Sequence, residues 1–429
     1  MKKRNESKLT MAALMMMAAM AMTSCASSKK INDDSNAGKN SEMGKNEEDL
    51  DNSYLVLSDA QQDIVKKNNA FALRLFNKVT DMESKVISPM SVSYLMGMLA
   101  NGADGITQQE ILKAIGCEGV SVSDLNELYK AMLLTANKQD KQTTVNIANY
   151  IAVNKNFQLN KDFCQKVSDS YLAGIESLDF TSSKTTDRIN GWCKEKTNGM
   201  IPRIIDQVSA DAVSYLMNAI YFKGTWQNKF NVKDTKLENF RGYTRDIQKV
   251  EMMHQVKKLF YAENKDFKAV DLPYGNGSYR MLVFLPNEGK NIQEMMKGLD
   301  EEKLNQISQN MENCMVNLKL PKFTIEQELP LNAIISDLGA PSMFVAGKAN
   351  FSHFADGNFF VSKMLQKAKI EVNEQGTKAA AVTAAVMLTA MAPVEVKNVE
   401  FIADRPFVYM IQDSQSGGIL FMGQYCGTH

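Results

Sequence analysis

Phe71, Ala72, Leu75, Phe76 and Val79 recur at helical spacing behind Ser58-x-x-Gln61, a capping-box pattern that predicts where the first helix begins. The spacing returns in Val92, Leu95, Met96 and Leu99 after Ser88-Pro89-Met90-Ser91. Later segments change period. Val145, Ile147, Ile151 and Val153 alternate with other residues, as do Val316, Leu318 and Leu320, which predicts strands. The apolar runs Tyr279 to Leu285 and Gly418 to Met422, bounded by turn residues or proline, predict buried ones. Helical patterns dominate the first third of the chain and strands the last, so the expected class is α+β.

No repeat, Pro-rich linker or charge block divides the chain after residue 58, and 44% apolar residues are enough to build a core. Residues 58–429 are therefore expected to form one domain. Lys2, Lys3 and Arg4 precede an uncharged run from Met11 to Met22, the length of a signal-peptide apolar region and too short to span a bilayer. Met22-Thr23-Ser24-Cys25 follows and resembles a bacterial lipoprotein cleavage site. Residues 1–24 would be a signal peptide and Cys25 the acylated first residue of the mature chain; ordinary secretory cleavage near Ser24 is the alternative. Residues 25–57 hold few apolar residues and read as a flexible tether. The expected address is an exported, membrane-anchored lipoprotein of the outer membrane or cell surface, or else a secreted or periplasmic protein.

Lys plus Arg equals Asp plus Glu at 49 each, which gives no reason to expect a nucleic-acid partner. Besides Cys25, the cysteines at 117, 164, 193, 314 and 426 are scattered and odd in number. They offer neither a disulfide framework nor metal-ligand spacing, and buried free thiols are expected, with room for one pair to close. The histidines are His254, His353 and His429, and none stands beside a nucleophile-elbow motif. Phosphate-loop, His-Glu-x-x-His and paired-cysteine patterns are missing too. Catalysis, metals and cofactors are not expected.

The most informative tract runs from Glu374 through Gly376, Thr377 and Lys378 into Ala379, Ala380, Ala381, Val382, Thr383, Ala384 and Ala385. Tiny and β-branched residues suit a pleated strand between close neighbours, and glycine permits a bend that a Cβ resists. The uncharged span from Ala379 to Val394 also suits a buried helix or strand. Other segments decide between these readings. Ser88-Pro89-Met90-Ser91; Asn190-Gly191-Trp192 with Thr197, Gly199, Ile201 and Ile204; Asn218-Ala219-Ile220-Tyr221-Phe222-Lys223-Gly224-Thr225-Trp226; Leu272-Pro273-Tyr274; Leu320-Pro321-Lys322-Phe323; and Arg405-Pro406-Phe407 follow in the order seen in serpins. From about Ser58 onward the chain resembles that family of protease inhibitors.

The resemblance implies helices packed around a large central mixed or antiparallel sheet, two further sheets, and an exposed reactive loop at about 374–394. It implies a monomeric suicide substrate. A serine or cysteine protease cleaves the loop and is acylated; the hinge (Glu374, Gly376, Thr377, Ala379, Ala380, Ala381) then enters the sheet as a strand and carries the protease across the molecule. Period two would place Thr377, Ala379, Ala381, Thr383 and Ala385 on one face of that strand and Lys378 on the other. Trp226, Lys322 and Glu374 match the family's cluster where the sheet opens, with Lys322 and Glu374 able to pair. Ser88, Ser91 and Asn218 match a polar lock beneath the sheet centre, while Gln366 stands where many members carry His and reads equally as a plain strand position. Seventeen residues counted inclusively from Glu374 put the scissile bond between Ala390 and Met391, give or take one or two. Small apolar bait suits elastase-like or subtilisin-like targets better than trypsin-like ones. A non-inhibitory serpin acting as a carrier or binding surface is the alternative.

Overall fold

The computed structural model describes residues 55–377 and 396–427, all within one compact unit, Asp51–His429. The lipidation call at Cys25, the tether up to residue 54, the hinge alanines Ala379, Ala380 and Ala381, and the Ala390–Met391 bond lie outside the described residues.

Among the described residues the helices are α1 (Asp59–Val79), α2 (Pro89–Gly102), α3 (Gly105–Ala114), α4 (Val122–Thr135), α5 (Lys161–Tyr171), α6 (Lys184–Lys196), α7 (Ile292–Lys297), α8 (Glu301–Gln309) and α9 (Asn332–Asp337). α1 starts at the expected capping box: Ser58 Oγ accepts from the Gln61 N–H at 3.3 Å and the Gln61 side chain accepts from the Ser58 N–H at 3.0 Å. Ser88-Pro89 opens α2 in the same spirit, with Ser88 as N-cap and proline where a donor is dispensable.

A six-stranded sheet runs in the order β10 (Phe323–Pro330), β11 (Lys363–Asn373), β12 (Gly376–Thr377), β4 (Ser214–Thr225), β2 (Thr143–Asn154), β3 (Gly174–Leu178). A nine-stranded sheet holds β1 (Lys85–Ile87), β15 (Ile419–Tyr425), β14 (Phe407–Asp413), β8 (Tyr279–Pro286), β7 (Phe267–Tyr274), β6 (Ile247–Glu263), β9 (Glu312–Pro321) and β13 (Asn398–Ile402), with β5 (Lys236–Arg241) pairing with β6. The two further sheets of the expectation are thus one hydrogen-bonded unit, because β6 is 17 residues long and pairs with β7 near one end and with β5 near the other. The α+β class and the arrangement of helices around a mixed central sheet stand as expected.

Three apolar clusters hold these layers. One joins α1, α2, α4 and α5 to one another and to the sheets, and a second lies where inner faces of the two sheets meet. The third packs Ile189, Trp192 and Cys193 of α6 on Tyr150, Ala152, Tyr215, Met217 and Leu365 of the six-stranded sheet. That sheet is therefore covered on both faces. Any added strand must enter between strands, not lie on top of them.

Candidate functional site

Between β11 and β4 the sheet is made in two ways. From Lys363 to Lys369, β11 pairs directly and in parallel with Tyr215 to Tyr221 of β4. Beyond that the two strands part, and β12 fills the gap antiparallel to both: Thr377 lies opposite Val372 and Gly224, and Gly376 opposite Asn373 and Thr225. The chain doubles back through Glu374 and Gln375, and the Gln375 N–H donates to Asn373 Oδ1 at 3.0 Å. Gly376 sits at φ 143°, and a Cβ on it would meet the Gly224 carbonyl oxygen at 2.0 Å. No other residue fits there.

This corrects the expectation of an exposed loop from Glu374 onward. Glu374, Gly376 and Thr377 are buried, because the glycine turn folds them back into the sheet. Thr377 is fully buried and its hydroxyl meets Tyr274 Oη at 2.8 Å. Tyr274 stacks on Trp226 with ring centroids 4.3 Å apart. The Trp226 indole donates to the Asn373 carbonyl and its backbone N–H to the Gln375 carbonyl, both at 2.9 Å. Each face of the turn is thereby tied to the strand it follows or the strand it joins.

Lys322 and Glu374 pair at 3.3 Å, and Lys322 also reaches Glu251 at 3.3 Å. Thr235 Oγ1 donates to Glu374 Oε1 at 2.9 Å. Burial alone would raise the Glu374 carboxyl; backbone N–H donation, Thr235 and Lys322 outweigh it and hold the carboxyl below its ordinary value. For Lys322, the loss of hydration is outweighed by Glu251 and Glu374, so its ammonium is held more firmly than usual. Trp226, Lys322 and Glu374 come together as the sequence indicated. Thr235, Glu251, Asn373 and Tyr274 complete the cluster and were missed. Tyr274 stood inside a quoted motif without a role, whereas Thr235 and Glu251 carry no local signal.

Beneath the directly paired stretch lie the other candidates. Gln366 Nε2 donates to the Ser88 carbonyl and its Oε1 accepts from the Ser88 N–H, each at 2.8 Å. Ser88 Oγ donates to the Leu420 carbonyl at 2.6 Å and lies 2.9 Å from Ser91 Oγ. Gln366 is thus the clasp between β11 and the cap of α2, not a plain strand position. Asn218 lies opposite Gln366 in register but donates to Asn149 Oδ1 at 2.9 Å, and Asn149 in turn donates to the Tyr171 carbonyl. Asn218 Oδ1 is buried without a hydrogen-bond partner among the described residues. Asn149 was missed although it falls on the inward beat of the Val145-to-Val153 alternation, where a polar residue is an anomaly.

Cys117, Cys193, Cys314 and Cys426 are buried free thiols and Cys164 is half-buried. Burial pushes Cys117, Cys193 and Cys426 up to about 12, so these three are unreactive at neutral pH. Among the described residues no group of His, Cys, Asp and Glu has the placement to hold a metal.

The Serpin (serine protease inhibitor) family model matches residues 66–427. Leukocyte elastase inhibitor A of Rattus norvegicus is 32% identical over 375 residues, covering 84% of this chain and 98% of that protein. The leukocyte elastase inhibitor of Homo sapiens is 32% identical over 374 residues, covering 83% and 97%. Among solved structures, native tengpin, a thermophilic serpin, is similar with a TM-score of 0.79 and 31% identity over 87% of this chain and 95% of that one. Thyroxine-binding globulin in complex with thyroxine, at 24% identity and TM-score 0.77 over 85% and 99%, shares the fold.

Proposed function

Because the chain belongs to the serpin family, we propose that it traps serine or cysteine endopeptidases as a covalent acyl complex, by cleavage of the 374–394 loop and insertion of that loop between β11 and β4. The observation that carries this reading is β12. Two hinge residues already stand in the gap, antiparallel to both neighbours. Continuing their register would put Lys378 between Glu371 and Lys223, and Thr383 between Gln366 and Asn218, where its hydroxyl can donate to the unpartnered Asn218 Oδ1. Lys378, a departure from the Glu common in the family, would then lie between the Glu371 carboxylate and the Lys223 ammonium.

Insertion must part the seven direct pairs from Lys363–Tyr215 to Lys369–Tyr221. In exchange for one parallel ladder it forms two antiparallel ones, the more stable kind per residue. A strand of about a dozen residues, at ~1 kcal/mol for each ladder hydrogen bond, gives on the order of 10 kcal/mol. The Lys322–Glu374 cluster would control where the sheet parts first and the Gln366–Ser88 clasp how far parting runs. The chain supplies the bait and the spring, and the hydrolytic chemistry is the protease's.

Two features favour elastase-like targets: Ala390 at the counted scissile bond, and kinship with proteins named for leukocyte elastase. Subtilisin-like enzymes fit the same small bait. For location, the sequence from Lys2 to Cys25 supports export and lipid anchoring through Cys25, with residues 25–57 as tether. The test of function is a gel. Mixed with elastase, subtilisin, trypsin and papain, the protein should give an SDS-stable complex with the first two; cleavage without any complex would reject trapping.

A further inference from the structure

Thr225, the last residue of β4, is held by two segments outside the hinge. Its N–H donates to the Gln142 carbonyl at 3.3 Å and its carbonyl accepts from the Gly275 N–H at 2.7 Å. Gln142 ends the connection from α4 to β2, residues 136–142, and Gly275 opens the turn from β7 to β8, directly after Tyr274. Thr225 also lies opposite Gly376. Where these two segments hold the end of β4 therefore decides whether the hinge turn can pair with it.

One carboxylate joins the two segments. Asp140 is 4% exposed, and no cation pairs with it among the described residues, so its burial is offset by hydrogen bonds alone. Its Oδ1 accepts from the Gln142 N–H at 2.9 Å, the two-residue reach of an Asx turn, and its Oδ2 accepts from Thr143 Oγ1 at 2.6 Å. Gly275 stands at φ 46°, and a Cβ there would collide with Asp140 Oδ2. Beside this contact Asn276 Nδ2 and Ser278 Oγ donate to the Gln139 carbonyl at 2.7 and 3.2 Å. Thr143 carries the hold into the sheet: it lies opposite Gly224, and Gly224 lies opposite Thr377. The hydroxyl that Asp140 fixes and the hinge threonine thus stand in one cross-strand row.

From this arrangement we infer that Asp140 is a positioning residue for the hinge. It acts through Gln142, Thr143 and Gly275, which fix Gly224 and Thr225 where Thr377 and Gly376 pair with them. Its consequence for inhibition rests on the trapping reading: a hinge already in register starts the inserted strand, and a hinge released from β4 leaves the cleaved loop more time to be hydrolysed free. The docking itself does not rest on that reading. The Trp226 N–H donates to the Gln375 carbonyl, so its hydrogen exchange reports whether the turn is docked.

Amide hydrogen exchange on the full uncleaved chain tests the assignment. Asp140→Ala should speed exchange at the Trp226 N–H about tenfold, the equivalent of one charge-assisted hydrogen bond. Thr143→Val, a milder change that removes only the hydroxyl, should speed it severalfold. Asp140→Asn still accepts from the Gln142 N–H and can donate to Thr143 Oγ1, so it should stay within about twofold of the parent. Leu304→Ala, a core truncation in α8, is the control for lost stability alone and should leave Trp226 exchange unchanged. With elastase, the number of inhibitor molecules consumed per enzyme trapped should rise for Asp140→Ala and not for Asp140→Asn. Trp226 exchange unchanged in both Asp140→Ala and Thr143→Val, equal acceleration in Leu304→Ala, or no rescue by asparagine would overturn the role of Asp140. A parent that forms no complex would sink the trapping reading instead, and the exchange result would still decide this one.

Discussion

Thr377 occupies the position where a charge does the most damage. It is fully buried against Tyr274 at the mouth of the gap, and in the proposed insertion it keeps this place as the residues after it extend the strand. Thr377→Arg would bury an unpaired guanidinium at a cost of several kcal/mol. The variant should be cleaved by elastase as fast as the parent while the number of inhibitor molecules consumed per enzyme trapped rises about tenfold or more; equal stoichiometry would contradict insertion that extends from this site. Glu374 adds a pH limit. Its folded-state value is depressed, so its contribution is present at neutral pH and is lost as the pH falls through that depressed value, below the ordinary 4.5. Trp226 emission should report release of the turn with a midpoint under 4.5, and a midpoint above it would show that Glu374 is not the group involved.

At the scale of elements, strands and helices were legible where their periods were clean: the capping box of α1, the alternation in β2 and β9, the apolar run of β8. The cluster at Trp226 was legible because an acid, a base and an indole were each distinctive in motif context. What stayed hidden was long-range. Thr235, Glu251 and Asn149 reach the site only through pairings between strands distant in sequence, and the early entry of Gly376 and Thr377 depends on Gly376 leaving room for the Gly224 carbonyl and Gly224 leaving room for the Tyr274 ring. The β12 register also fixes how much loop is needed. With the bond at Ala390–Met391, thirteen residues after Thr377 are available for insertion. Mass spectrometry of the C-terminal fragment released by elastase should find Met391 at its start; Ala390 or Ala392 would shift the count by one, and a start before Val386 would leave too short a strand to carry a protease across the sheet.

For the molecule as a whole, the proposed trapping requires that the uncleaved fold is held by a barrier and is not the lowest state of its own sequence. In the proposed mechanism the clasp from Gln366 to Ser88 and the pairs from Lys363 to Lys369 would supply that barrier, and the loop the strand that replaces them. The comparison of intact and loop-cleaved protein by thermal unfolding tests this most directly. An added strand worth on the order of 10 kcal/mol should raise the midpoint by tens of degrees, since ~1 kcal/mol moves a domain of this size by a few degrees. A midpoint unchanged after clean cleavage between Ala390 and Met391 would mean that the loop does not insert, and the chain would then be a serpin that binds without trapping.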